Sequence, residues 1–328
     1  MKLITRWSVI AALLVTLVGQ AHAVEKRGTV AAKFLTLDSS ARMAGLASSA
    51  SSFTDMGAFS TLINQAAMVF IPGRGAVAVT YAKYFADMTL FSGGVVWNMG
   101  DNGAIGFGFH SLLSGDIPFS TATAPTNGLR ASAGLANFTV TDLAIGPSYA
   151  RRLTDAFSVG GSVKYVSEGT SGAGTLDETI TTVAFDMGTI YTTDWHKFRI
   201  GASFQNFGPD LRFIADSNIK QSLPTTFRIG FAGEPATLPM GSVMLSAEIW
   251  KLREFDSVLN VGAEYWVNEY VAGRVGWRAG YSGTEDEGVS AGAGFKFEQG
   301  SYRVALDYAY TQFDLLDNIH RVSVGIGF

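Results

Sequence analysis

Three stretches at the end of the chain constrain its fold more than any other feature. Val289, Ala291, Ala293, Phe295 and Phe297 alternate with Ser290, Gly292, Gly294 and Lys296. Val304, Leu306, Tyr308 and Tyr310 alternate with Arg303, Ala305, Asp307 and Ala309, and Val322, Val324, Ile326 and Phe328 with Arg321, Ser323, Gly325 and Gly327. Successive strand residues point to opposite sides, so each stretch has one apolar face and one face of small or charged residues. A half-buried soluble sheet alternates in the same way. Two properties separate this case. The runs are about ten residues long, the span of a tilted transmembrane strand. Their second face is rich in glycine and charge, as a barrel lumen is.

The rest of the chain narrows the choice. Of 328 residues 47% are hydrophobic, and the net charge is −4, so no nucleic-acid partner is expected. Residues 1–23 read as a secretory signal: Lys2 and Arg6 are the charged region, Val9 to Val18 the apolar core, and Ala21-His22-Ala23 the cleavage site. The chain has no cysteine, which excludes disulfides, thiolate metal sites and a lipoprotein anchor. Beyond residue 23 no apolar run reaches the length of a membrane helix. A bilayer admits only helices or closed barrels. The expectation is an all-β, 14-stranded antiparallel transmembrane β-barrel, facing the lipid of the outer membrane of a didermic bacterium.

Three segments follow: the signal at 1–23, an N-terminal hatch or plug at 24–74, and the barrel at 75–328. The hatch segment lacks alternation and is rich in small residues, which pack inside a narrow tube. From Gly75 onward there are 14 alternating runs, at 75–84, 87–98, 103–112, 141–151, 156–167, 181–192, 196–206, 225–233, 241–251, 257–267, 270–281, 288–298, 302–313 and 319–328. Joins after even-numbered runs are mostly tight. The long joins, Leu113 to Val140, Glu168 to Ile180 and Phe207 to Pro224, all follow odd-numbered runs. Ala232 to Met240 is a moderately long exception on the short side. Short periplasmic turns and long external loops give this asymmetry, and an even count puts both termini on the periplasmic side. Tyr81, Tyr149, Tyr165, Tyr191, Tyr265 and Tyr281 take outward positions near strand ends, as interfacial girdles do.

The inward faces carry Glu248, Glu264, Arg274, Arg278, Asp307 and Arg321. Two readings fit them. One is an ion-paired lumen wall holding the hatch, since buried charges need partners. The other is an anion site, for example for a fatty-acid carboxylate, because Arg274 and Arg278 lie four apart on one face. Catalytic and metal-binding patterns are absent. Of His110, His196 and His320 only His110 takes inward parity, with no nucleophile–His–acid set and no two-His metal spacing. No cofactor is expected. Gly106-Phe107-Gly108 and Gly292-Ala293-Gly294 sit in strands without a following helix, so they relieve crowding in the lumen. The loop from Leu113 to Val140 is unusually apolar, with Ile117, Pro118, Phe119, Pro125, Leu129 and Leu135. Such a loop either docks on a partner or folds inward as a lid.

A set of short motifs resembles the PorV/PorQ outer-membrane proteins, relatives of the FadL fatty-acid channels. It begins in the hatch with Phe34-Leu35, Ala41-Arg42-Met43-Ala44-Gly45, Asp55 and Asn64-Gln65-Ala66. It continues with Tyr149-Ala150-Arg151, Gly161-Ser162-Val163-Lys164-Tyr165, Phe185-Asp186-Met187-Gly188 and Leu223-Pro224 before Arg228-Ile229-Gly230. Gly262-Ala263-Glu264-Tyr265 and Arg274-Val275-Gly276-Trp277 complete it, and the closing Phe328 resembles the end of bacterial outer-membrane barrels. The resemblance implies a FadL-like barrel whose hatch includes Arg42, Gly45, Asp55 and Asn64. It implies a component of type IX protein secretion that binds cargo C-terminal domains and the translocon through external loops. The alternative it leaves is a FadL-like channel for hydrophobic small molecules. The family's Asn-Pro-Ala is Asn64-Gln65-Ala66 here, and the missing proline predicts a looser hatch turn.

Overall fold

A computed structural model describes residues 28–118, 137–172, 177–211, 220–238, 240–254, 257–279, 287–313 and 316–328. The signal segment 1–23 and Tyr281 lie outside the described residues. Fourteen long strands form one sheet closed on itself: β1 Gly75–Lys83, β2 Thr89–Asn98, β3 Ala104–Leu113, β4 Asn137–Arg152, β5 Phe157–Ser171, β6 Thr179–Thr192 and β7 Arg199–Phe207, then β8 Thr226–Leu238, β9 Gly241–Leu252, β10 Val258–Val267, β11 Val271–Ala279, β12 Glu287–Gln299, β13 Tyr302–Phe313 and β14 Ile319–Gly327. Each strand pairs antiparallel with its sequence neighbours. The barrel closes where β1 meets β14, from Ala76 opposite Gly327 to Lys83 opposite His320. Phe328 completes the seam: its carbonyl accepts the amides of Arg74 and Gly75, at 2.6 and 3.0 Å. Closure leaves no unpaired edge.

The alternation resolves as expected. In β1, Val77, Val79 and Tyr81 face outward and are exposed, while Ala76, Ala78, Thr80 and Ala82 are buried inward. The outward face is one large apolar surface, which in water would be untenable and in lipid is required. Three strands, β4 to β6, run beyond the predicted limits and extend the wall at the end that carries the long connections. The two-residue strand Ile117–Pro118 pairs there with Asn137 and Phe138.

One irregular join is not a loop. The segment from Ala232 to Met240 continues β8 to Leu238 and turns back at once into β9. The register shifts between Val243 and Leu245, opposite Glu234 and Pro235. Proline has no N–H for the ladder, so it is accommodated at a bulge, and the bulge disguises a strand as a loop in sequence.

Residues 30–71 lie inside the barrel as short helical turns: Lys33–Thr36, Ala41–Ala44, Gly57–Phe59, Ser60–Ile63 and Gln65–Phe70. Ser40 caps the second turn, its Oγ accepting the Met43 amide at 3.2 Å. The segment runs the length of the lumen. Thr29 and Val30 donate to Glu254, between β9 and β10 at the long-connection end, whereas Ile71 leads into β1 at the other. The expectation that both termini lie at one end holds for the barrel, where Gly75 meets Phe328, and not for the first described residues. The first described residues sit at the mouth opposite Phe328, because the hatch crosses the lumen once before the barrel begins.

Candidate functional site

Buried charged side chains converge in the lumen, and its wall and hatch are built for each other. Glycines on the inward face let the hatch backbone touch the wall. A Cβ on Gly188 would overlap the Asn64 side chain, one on Gly201 the backbone of Ser51, and one on Gly276 the backbone of Ala47. The crowding foreseen for the lumen glycines is thus crowding by the hatch. Gly45 makes the same approach from the other side, where a Cβ would come within 3.3 Å of Gly292.

The centre of the charge cluster is Glu264, on β10. Arg42 of the hatch grips it with two bonds, Nε to Oε2 at 2.9 Å and Nη2 to Oε1 at 2.8 Å. Trp266 Nε1 donates to Oε1 at 2.6 Å, and Arg274 Nε donates to Oε2. Arg274 Nη1 reaches Asp307 at 2.6 Å, and Arg42 Nη1 reaches Asp55 at 2.9 Å. Lys296 lies 3.8 Å from the Trp266 ring centroid. Three cations, Arg42, Arg274 and Lys296, thus share the site with three carboxylates, Glu264, Asp55 and Asp307. Partial desolvation disfavours the charge on Asp55, whose side chain is 45% exposed, but Arg42, with Lys296 and Arg199, outweighs it and holds the carboxyl well below the usual carboxylate range. The cluster borders a cavity of about 310 Å³ at the short-turn end, which Phe59 and Ile71 also line.

The other wall charges named from the sequence stand apart from this cluster. Glu248 pairs with Arg228 at 3.4 Å and accepts the Ser51 amide of the hatch at 2.8 Å. Arg278 donates to Asn260 at 3.1 Å and to Ser48 of the hatch at 2.8 Å. Arg321 donates to Thr311 at 3.0 Å and to the Tyr84 hydroxyl, and stacks over the Tyr84 ring. Arg274 and Arg278, four apart on one face, therefore have different partners. Arg274 is held by Glu264 and Asp307, and Arg278 by Asn260 and Ser48.

In the hatch, Asn64 is the pin. Its Oδ1 accepts the Ala66 amide at 3.2 Å, and its Nδ2 donates to Ser51 O at 2.7 Å and Thr189 O at 3.2 Å. Gln65 takes the place of the family's proline in this turn. Gln65 is buried and its Nε2 donates to Thr61 O at 3.0 Å, so an amide hydrogen bond replaces the ring constraint. His110 is buried with Nε2 3.0 Å from Phe34 O, a structural contact, and His320 faces outward against Tyr308. Of the candidate partner loop, Ile117 and Pro118 are exposed at the long-connection end. Phe119, Leu129 and Leu135 lie outside the described residues.

Sequence reading missed several lumen groups. Lys164 pairs with Asp186 at 2.9 Å, and Lys33 with Glu254 at 2.7 Å. Lys164, Asp186 and Arg228 all carry inward parity, and that alternation is the signal that marks them in the sequence. Glu254 and Lys33 lie outside the strands and had no such signal.

A second cavity, of about 400 Å³, opens at the long-connection mouth and is lined by Phe34, Leu37, Met88, Leu112, Asp142 and Glu168 among others. Among the described residues, the wall beside it shows no parted strands. The ladder between β4 and β5 skips Gly146 and Pro147, but a Cβ at Gly146 would overlap the Val163 carbonyl, so the backbones touch there.

A closed antiparallel barrel with an inserted N-terminal hatch is the fold of the FadL-like outer-membrane transporters, and solved structures agree. The Pseudomonas putida toluene transporter TodX is 12% identical, with a TM-score of 0.58 over 94% of this chain and 98% of that one. The Ralstonia pickettii toluene transporter TbuX is 15% identical, with a TM-score of 0.58 over 88% of this chain and 96% of that one. A Pseudomonas aeruginosa FadL homologue is 14% identical, with a TM-score of 0.53 over 88% of this chain and 98% of that one. At such identity the likeness establishes the fold alone. The family is settled separately: the model described as "Type IX secretion system protein PorV" matches residues 20–254, and the chain belongs to that family. Among curated proteins nothing matches.

Proposed function

We propose that this protein is a non-enzymatic outer-membrane component of type IX secretion. It binds the C-terminal domains of exported cargo, the translocon, or both through the connections at its long-loop end. The observation that carries this reading is the hatch. It traverses the whole lumen, touches the wall backbone at several glycines, and is tied to it by Arg42–Glu264, Ser51–Glu248, Ser48–Arg278 and Lys33–Glu254. A barrel occupied in this way works through its surface rather than its bore. Membership of the PorV family supports the same reading. A second reading, uptake of hydrophobic small molecules, draws support from the transporter fold and from the cavity at the long-connection mouth, where Phe34, Leu37, Met88 and Leu112 are part of the lining.

One variant separates them. Replacing Ile117 to Leu135 with a short Gly/Ser link changes closure entropy by only roughly 0.6 kcal/mol per halving of the loop, so the barrel folds and reaches the outer membrane. On the secretion reading, cargo accumulates in the periplasm and translocon co-purification is lost. On the uptake reading, secretion is normal and entry of small apolar solutes changes. Cargo release and solute entry measured in the same strain decide between them, and normal secretion with altered permeability overturns the proposal.

A further inference from the structure

The cavity at the long-connection mouth holds an imbalance that neither reading explains. Asp142 on β4 and Glu168 on β5 are directly opposite in the ladder, so their side chains share a face and both line the cavity. Asp142 is 8% exposed, and its Oδ1 has no hydrogen-bond partner. Glu168 uses Oε1 to accept the Ala32 amide at 3.0 Å, but its Oε2 has no partner. The donors around them are engaged. Lys33 Nζ is 2.7 Å from Glu254, and Arg278 is held by Asn260 and Ser48. Among the described residues, no donor reaches either free carboxylate oxygen.

A buried acceptor without a donor is costly, and two adjacent carboxylates raise the cost by repulsion. A cation placed between them relieves both. Beside Lys33, Tyr84 and Arg278, the rest of the lining is apolar, with Phe34, Met88 and Leu112 among it. We propose that this cavity binds a primary ammonium group carried on an apolar stem. Three N–H donors match the two carboxylates, and the stem covers the apolar wall. Calcium does not fit, since it takes about 6–8 oxygen ligands and no cluster of three acidic, histidine or cysteine side chains exists among the described residues. A fatty-acid carboxylate is disfavoured by like charge. The site is independent of the secretion reading. Its ligand is either a free amine or a lysine side chain of a protein.

The test uses the full barrel in lipid nanodiscs with three probes of equal length, hexylammonium, hexanol and hexanoate, titrated by calorimetry. Hexylammonium binds at least about tenfold more tightly than hexanol, and hexanoate more weakly than hexanol. The doubly isosteric variant Asp142→Asn with Glu168→Gln brings hexylammonium to the level of hexanol and leaves hexanol unchanged. Heat-modifiable migration in SDS verifies its fold. Equal binding of the three probes by the native protein, or full hexylammonium affinity in the double variant, overturns the proposal. A blocked Ala-Ala-Lys-Ala-Ala peptide identifies the source: tighter than hexylammonium, it points to a protein lysine, and weaker, to a free amine.

Discussion

Arg42 and Glu264 are 222 residues apart in sequence and meet in the lumen through two parallel bonds of 2.9 and 2.8 Å. One belongs to the hatch and the other to the wall, and both are buried. The pair fastens two parts of the chain that share no backbone hydrogen-bond ladder.

Breaking this pair from one side leaves a buried charge without its partner. Arg42→Ala or Glu264→Gln is expected to lower barrel stability by about 3–5 kcal/mol if water does not reach the site. The double variant Arg42→Ala with Glu264→Gln costs less than the sum of the two single changes. Urea unfolding in lipid, read by tryptophan fluorescence, gives all the values of the cycle.

The pH dependence follows from Asp55. Its carboxyl is held below its ordinary value of 3.8, because Arg42, Lys296 and Arg199 outweigh the effect of burial. A depressed carboxyl contributes stability above its unfolded value and loses it as pH falls through the folded one. The difference in unfolding midpoint between the native protein and Asp55→Asn is therefore constant at neutral pH and shrinks from about pH 4 downward. The effect is modest because the Asp55 side chain is 45% exposed. A midpoint difference that grew on acidification would contradict this assignment.

The wall glycines give a sharper contrast. Gly276 and Gly273 lie on the same strand, β11, on opposite faces. A Cβ on Gly276 would overlap Ala47 of the hatch, whereas one on Gly273 meets nothing within 4 Å. Gly276→Ala is expected to cost about 1–3 kcal/mol and to raise solute leakage through a displaced hatch. Gly273→Ala changes neither. Antibiotic entry in cells carrying each variant, with the amount of folded barrel measured alongside, tests both statements.

At the long-connection mouth Glu254 makes the largest share of the side-chain bonds to the start of the hatch. Glu254 accepts the amides of Thr29 and Val30 and the ammonium of Lys33. Glu254→Ala removes three hydrogen bonds and frees this end of the hatch. Trypsin added to proteoliposomes with that mouth outward is expected to cut after Lys33 in the variant and not in the native protein. Equal resistance would show that other contacts, such as Ala31 N to Ser222 O at 3.0 Å, suffice.

The strand number, the antiparallel order and the faces of the wall were legible from alternation alone. Each strand is one local pattern of period two, and lipid outside leaves no tolerance for an error of parity. The glycine- and charge-bearing faces, with Glu264, Arg274 and Asp307 among them, were legible for the same reason. The partners were not. Whether Glu264 meets Arg42 or Arg278 depends on how the hatch crosses the lumen, and a segment of small residues without periodicity carries no register. The direction of that crossing, the bulge at Pro235 and the unmatched carboxylates of Asp142 and Glu168 arise from contacts between distant parts of the chain. Sequence determined the wall because its constraint is local and repeats at every second residue. Tertiary structure alone decided what the wall encloses, because each of those contacts is made once.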